Sequence, residues 1–302
     1  MGILDCIGNT PLARIECLNP NPRVKLYAKL EGNNPGGSIK DRIALSMIEA
    51  AEREGRLTRD KIILEATSGN TGIGLAMVAS AKKYRVKLTM PACVSIERRR
   101  ILEAFGAELI LSPPQESTDG AIRLAHRILT EEPDTYFMPN QFDNEMNIRA
   151  HYETTGREVI EQTEGKVTHF IAGIGTTGTI MGVGQRLKEH NDDIRVVAVE
   201  PVVGHRIQGL KNMSESIVPK IFDPSILDER HQVNDEEAFD TTRMLAIKEG
   251  IFVGMSSGAA MHVALRMSSE LTEGVIVVIL PDRGDRYLST SLFTSVCGKC
   301  PP

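Results

Sequence analysis

The chain has 302 residues, 41% of them hydrophobic, enough apolar material for one large core or two packed domains. A net charge of −5 offers nothing to attract nucleic acid or an anionic membrane, and 4% aromatics without Trp leave no stacking platform for single strands. No apolar run approaches the roughly 18–20 residues of a membrane span. The opening Met1-Gly2-Ile3-Leu4-Asp5 lacks the basic region and apolar core of a secretory signal. Five scattered cysteines form no disulfide framework, so the expected compartment is the reducing cytoplasm.

In chain order, period-two alternation predicts a strand over 24–30 and helical spacing predicts a helix over 43–56. Strand 61–66 is followed by a small-residue helix over 71–83, and strand 86–91 by a helix over 95–105 with Ser95 as its cap. The alternation continues with strand 108–112, helix 118–130, strand 135–138 and helix 147–162. Strand 167–172, helix 179–189 and strand 195–200 come next. An irregular span over 201–228, with several Gly and Pro, interrupts the rhythm before helices 235–249 and 259–270 and strand 275–280. Strands alternating with helices of this length make βαβ units, and their near-continuous apolar character suits parallel sheets covered on both faces. Ligands of such folds sit beyond the carboxyl ends of strands, so the strand-to-helix loops are where chemistry is expected.

Lys40, in Ser38-Ile39-Lys40-Asp41-Arg42, stands between the loop Asn33-Asn34-Pro35-Gly36-Gly37 and an apolar helix. Burial at such a junction depresses an ammonium pKa and frees an amine able to attack a carbonyl, as a Schiff base with an aldehyde cofactor requires. The alternative is a solvated surface charge. Thr67-Ser68-Gly69-Asn70-Thr71-Gly72 opens a helix with hydroxyls and amides suited to a carboxylate, and Asn70 could bond a ring substituent; it is otherwise an ordinary helix start. Gly173-Ile174-Gly175-Thr176-Thr177-Gly178-Thr179 resembles a phosphate loop without the lysine of a Walker motif. A dinucleotide site with Glu200 as ribose partner is the weaker alternative. In Gly254-Met255-Ser256-Ser257-Gly258, Ser256 reads as a helix cap or as the partner of a neutral pyridine nitrogen. In Asp282-Arg283-Gly284-Asp285-Arg286, Arg286 reads as a structural corner and Asp282 as more open.

From Ile7-Gly8-Asn9-Thr10-Pro11-Leu12 to Tyr287-Leu288-Ser289-Thr290, these motifs in this order resemble the fold-type II pyridoxal-phosphate enzymes of the O-acetylserine sulfhydrylase (cysteine synthase) family. Gly175-Thr176-Thr177-Gly178-Thr179 and Leu30-Glu31-Gly32-Asn33-Asn34-Pro35 look like the B type. The resemblance implies a two-domain α/β fold, each domain a mostly parallel twisted sheet flanked by helices. The smaller, closing domain would take residues 1–12 and 35–145. The larger, cofactor-binding domain would take 13–34 and 146–302, with a tail over 291–302 expected to be disordered.

The resemblance makes Lys40 the Schiff-base lysine and assigns Asn70, Gly175, Thr176, Thr177, Gly178, Thr179 and Ser256 to pyridoxal 5′-phosphate. Thr67, Ser68, Gly69, Thr71 and Gln141 would bind the substrate α-carboxylate. Lys211 falls where B-type relatives often place an arginine near the entrance, and reads as a cation for an anionic donor or as a surface lysine. The implied reaction is β-replacement on O-acetylserine or O-phosphoserine with sulfide or thiosulfate through α-aminoacrylate. A homodimer, a docking serine acetyltransferase and no metal are implied as well. Pro281 and Ala92-Cys93-Val94 depart from the family pattern; Cys93 reads as a small core residue or as a thiol at the entrance. Cys297 and Cys300 hold only half a zinc pattern. Cystathionine β-synthase, serine dehydratase or serine racemase chemistry, and a non-catalytic cofactor-binding regulator, are the competing readings.

Overall fold

A computed structural model describes residues 1–67 and 69–294. Strands β1 (Leu12–Arg14) and β2 (Val24–Leu30) precede helix α1 (Lys40–Arg53). Then come β3 (Ile62–Ala66), α2 (Asn70–Lys82), β4 (Arg85–Pro91), α3 (Ile96–Ala104), β5 (Glu108–Ser112), α4 (Ser117–Glu131) and β6 (Tyr136–Phe137). The second half runs α5 (Met146–Ala150), α6 (Gly156–Gln162), β7 (His169–Gly173), α7 (Gly178–His190), β8 (Arg195–Pro201) and β9 (Glu229–Val233). It closes with α8 (Asp235–Glu249), α9 (Met255–Glu270), β10 (Gly274–Leu280) and α10 (Ser291–Thr294). No helix among the described residues is long and apolar enough to cross a membrane.

Two sheets result. One has the order β1-β2-β10-β7-β8-β9 and is parallel except for β1; the other, β5-β4-β3-β6, is parallel throughout. The expected α/β architecture is therefore present. Strand β10 shows why its sequence reads as unbroken apolar residues. Val277 and Ile279 enter one core with Phe170 and Ala172, while Ile276, Val278 and Leu280 enter the other with α9 residues Ala260 and Val263. Both faces are covered, so alternation disappears.

Several expectations change at element ends. Helix 43–56 starts earlier, at Lys40, and helix 259–270 starts at Met255, which puts Ser256 inside the first turn with Gly254 as the cap. The Ser95 side chain makes no capping bond; its hydroxyl donates to the Arg286 carbonyl at 2.9 Å. The helix expected over 147–162 contains a π turn at His151–Thr155. Strands β1 and β9 have no counterpart in the sequence reading. Strand β9 is a charged sheet edge, Glu229-Arg230-His231-Gln232-Val233, whose polar side chains hide its pairing with β8.

One buried feature departs from the apolar pattern. Lys29, opposite Ile279 in β2, is fully buried and spends its three donors on Thr10 O (2.6 Å), Glu158 Oε2 (2.6 Å) and Gln162 Oε1 (2.9 Å). Beside it Arg42 from α1 forks onto Glu31 (Nε–Oε2 2.8 Å, Nη2–Oε1 2.8 Å) and onto Glu158 (Nη1–Oε1 2.6 Å, Nη2–Oε2 2.8 Å). Burial alone would raise the Glu158 carboxyl, but Arg42 and Lys29 hold it down to about 2. The four charges balance, yet each depends on the others, because an unpaired buried ion costs several kcal/mol. Arg42→Met is expected to lower unfolding free energy by about 3–5 kcal/mol, read from urea denaturation; a loss below about 1 kcal/mol would contradict the account.

Candidate active site

A cavity of about 570 Å³ opens between the two sheets, at the carboxyl ends of β3, β7 and β10. Its walls include Lys40, Thr67, Asn70, Thr71, Gln141, Gly175, Thr176, Thr177, Thr179, Lys211 and Ser256. The topology thus brings together residues more than 200 positions apart. Gly69 and Gly178 do not line it, and Ser68 lies outside the described residues, as do Cys297 and Cys300.

Lys40 is the first residue of α1, and that helix start is pinned to the end of β10. The Ile39 amide donates to the Pro281 carbonyl at 2.9 Å, and Ser38 forms an isolated antiparallel bridge with Asp282. Burial lowers the Lys40 ammonium to about 8, and the Asp282 charge opposes part of that shift. Near pH 8 half of this side chain is the free amine, the nucleophilic form.

In the loop after β3, the Thr67 hydroxyl accepts the amides of Gly69 (3.1 Å) and Gly72 (3.2 Å). Gly69 has φ +145°, and a Cβ there would lie 2.5 Å from Arg98 Cδ, so both conformation and space call for glycine. Asn70 is held from both sides: Arg286 Nη1 donates to its Oδ1 at 2.6 Å and its Nδ2 donates to Asp282 Oδ2 at 2.6 Å. One Nδ2 hydrogen remains for a ligand. Asp282 is wholly buried, not open as expected, because the Tyr287 hydroxyl (2.6 Å) and Arg98 (3.7 Å) also converge on it. Arg286 is the expected corner, though it is built from hydrogen bonds to Asn70 and the Gly36 carbonyl.

The loop after β7 is a cradle of dipoles. Thr177 takes a left-handed φ of +69° at the head of α7, a conformation uncommon for a β-branched residue. The Asn147 side chain donates to Thr176 Oγ1 at 3.0 Å, and His151 Nε2 lies 3.1 Å from Thr179 Oγ1. A Cβ on Gly178 would collide with the Asn147 carboxamide, which explains a glycine that does not face the cavity. Burial, with Lys40 and Arg42 nearby, pushes His151 well below 6.5, so it stays neutral. The Thr177 hydroxyl is buried without a partner. An orphaned hydroxyl at a helix start, in a loop of amides and threonines, fits a phosphate group.

Asn147 and His151 were missed from sequence. The only signal is their place in a helix whose π turn could not be read from periodicity, although such turns often sit at functional sites. Glu200 does not serve as a ribose partner: Arg230 occupies both its oxygens at 3.0 and 3.1 Å. Lys211 is not a solvated surface lysine. It lies 4.6 Å from the Phe142 ring centre and 3.8 Å from Asp119, and burial lowers its pKa. Cys93 is not a core residue but an exposed thiol at the cavity wall.

The model of the family described as pyridoxal-phosphate dependent enzyme matches residues 3–282. The chain belongs to that family. It is 48% identical to a cysteine synthase of Aquifex aeolicus, over 97% of this chain and 92% of the relative. It is 46% identical to cysteine synthase B of Salmonella typhimurium, over 95% and 94%. A solved cysteine synthase from Entamoeba histolytica superposes with a TM-score of 0.91 at 38% identity, over 97% and 90%. Pyridoxal phosphate is therefore the cofactor. Because the free amine attacks an aldehyde, capture of pyridoxal phosphate by the apoprotein is expected to accelerate as pH rises through about 8 and then level off. Stopped-flow absorbance between pH 6.5 and 9.5 checks this; a rate independent of pH would contradict it.

Proposed function

We propose that this chain makes cysteine by replacing the β-substituent of O-acetylserine or O-phosphoserine with sulfide or thiosulfate. The observation that carries the reading is one cavity holding both the desolvated Lys40 amine and the phosphate-suited loop with its orphaned Thr177 hydroxyl. The relatives named cysteine synthase support it.

Lys40 would hold the aldehyde end of the cofactor, and Gly175, Thr176, Thr177 and Thr179, which line the cavity, would hold its phosphate. Bound pyridoxal phosphate supplies a reactive aldehyde and an electron-withdrawing ring. Asn70 would offer its remaining donor hydrogen to a ring oxygen, and Ser256 would meet the pyridine nitrogen with an uncharged hydroxyl, which favours the unprotonated ring. A weaker electron sink of this kind suffices for loss of an α-proton and a β-leaving group. Thr67, Thr71 and Gln141, which line the cavity, would grip the substrate α-carboxylate, with Ser68 added on the family resemblance. The freed Lys40 Nζ removes the α-proton as general base and returns it to the same carbon after the sulfur nucleophile has added. Closing residues 1–12 and 35–145 over 13–34 and 146–302 would exclude water from the unsaturated β-carbon. A cytoplasmic homodimer that docks a serine acetyltransferase completes the reading, on the family resemblance.

Lys40→Ala is expected to abolish turnover of O-acetylserine with sulfide while the protein stays folded by circular dichroism. Wild-type activity in that variant would sink the assignment. Within the same fold, a dehydratase or racemase would convert serine without needing a sulfur donor, which a product assay for pyruvate and D-serine separates. Lys211 bears on the donor. A cation inside the cavity favours a phosphate leaving group through charge-assisted hydrogen bonds worth about 1.5–3 kcal/mol. Lys211→Ala is therefore expected to reduce kcat/KM for O-phosphoserine about 10- to 100-fold more than for O-acetylserine; equal effects on both donors remove this role.

A further inference from the structure

Glu65 in β3 is 1% exposed and does not line the cavity. Among the described residues no Lys, Arg or His forms an ion pair with it, and burial pushes its carboxyl up to about 7. Its partners are two successive amides, Asn140 N–H to Oε2 at 2.8 Å and Gln141 N–H to Oε1 at 3.2 Å, together with the Gln141 side chain. Asn140 has φ +53°, the left-handed conformation that turns adjacent amides toward one anion. A buried carboxylate is an expensive choice here. A glutamine would be cheaper, but it has a single acceptor oxygen and would set its NH₂ against one of the two amides. Here each N–H has its own acceptor, one on each carboxylate oxygen.

The turn so held carries Gln141, which reaches both chemical loops. Its Nε2 donates to the Ala66 carbonyl at 3.0 Å, and its Oε1 accepts the Thr71 hydroxyl at 2.6 Å. Its backbone carbonyl accepts from the Asn147 side chain at 2.8 Å, and Asn147 in turn donates to Thr176 of the phosphate loop. We propose that Glu65 is a positioning residue for substrate recognition: by gathering the Asn140 and Gln141 amides, its carboxylate sets the Gln141 carboxamide beside Thr71, ready for the substrate α-carboxylate. This rests on the reading of Thr71 and Gln141 as carboxylate-binding groups.

The test is a double-mutant cycle on the holoenzyme, using Glu65→Gln, Gln141→Ala and the two combined, with O-acetylserine and sulfide as substrates. Glu65→Gln is expected to raise KM for O-acetylserine about tenfold or more, with kcat within about threefold and cofactor absorbance per subunit unchanged. Because Glu65 acts through Gln141, the double variant should be no worse than Gln141→Ala alone, within about threefold. An unchanged KM, multiplying effects in the double variant, or loss of cofactor would each overturn the role. Should Glu65→Gln not fold, Glu65→Asp takes its place in the same cycle with the same outcomes. Wild-type protein inactive on both O-acetylserine and O-phosphoserine overturns the function proposed above and this inference with it; activity on O-phosphoserine alone moves the same cycle to that donor. Wild-type activity with an unmoved KM in the variant overturns only the role of Glu65.

Discussion

The structure depends on Arg42 lying between two buried carboxylates. Its guanidinium fork satisfies Glu31 and Glu158 together, and Glu158 also neutralises Lys29 inside the larger sheet. Four charges in a dry interior tolerate only one arrangement, because any displacement strands an ion. Arg42 is two residues beyond Lys40, so the same arrangement determines where the first turn of α1 lies. A helix that also packs its apolar face into the smaller sheet through Ala44, Ile48 and Ala51 is thereby tied to both halves of the molecule. The Lys40 amine sits at that tie.

Around the amine, polarity is supplied mostly by dipoles. Thr176, Thr177 and Thr179 offer hydroxyls, the start of α7 offers amides, and the buried His151 stays neutral. Two buried carboxylates stand one step back. Asp282 clamps Asn70 and biases Lys40, and Glu65 braces the turn that carries Gln141. Fixed dipoles bind an anion without raising the proton affinity of the adjacent lysine as a carboxylate would. A cradle of this kind is compatible with the lowered pKa of Lys40 and with the role proposed for it.

Much of this was legible beforehand because it is local. The strand-to-helix loops at 67–72 and 173–179 declare themselves by glycine and hydroxyl residues between an apolar run and a helix, and the structure places both at one cavity. The failures have local causes too. Strand β9 carries alternating charge on an exposed edge, so it imitates a loop. The π turn falls in a polar stretch, His151-Tyr152-Glu153-Thr154-Thr155, where apolar spacing carries no information, so nothing in the pattern announces that His151 lies against Thr179. Cys93 and Lys211 each kept two readings, core or entrance thiol for one and donor cation or surface lysine for the other, because burial at a cavity wall belongs to the assembled walls and not to the residue type.

By itself the sequence determined the alternation of elements, the two anion-suited loops and a lysine at a helix start. These follow from periodicity, glycine and capping chemistry within windows of a few residues. Only the tertiary structure decided which of them meet. Asp282 meets Asn70 across 212 positions, Lys29 meets Glu158 across 129, and Glu65 meets the Asn140–Gln141 turn across 75 and 76. A buried charge finds its partner only when distant strands and helices close together. Desolvation, which lowers Lys40 and raises Glu65, exists only once that closure has excluded water.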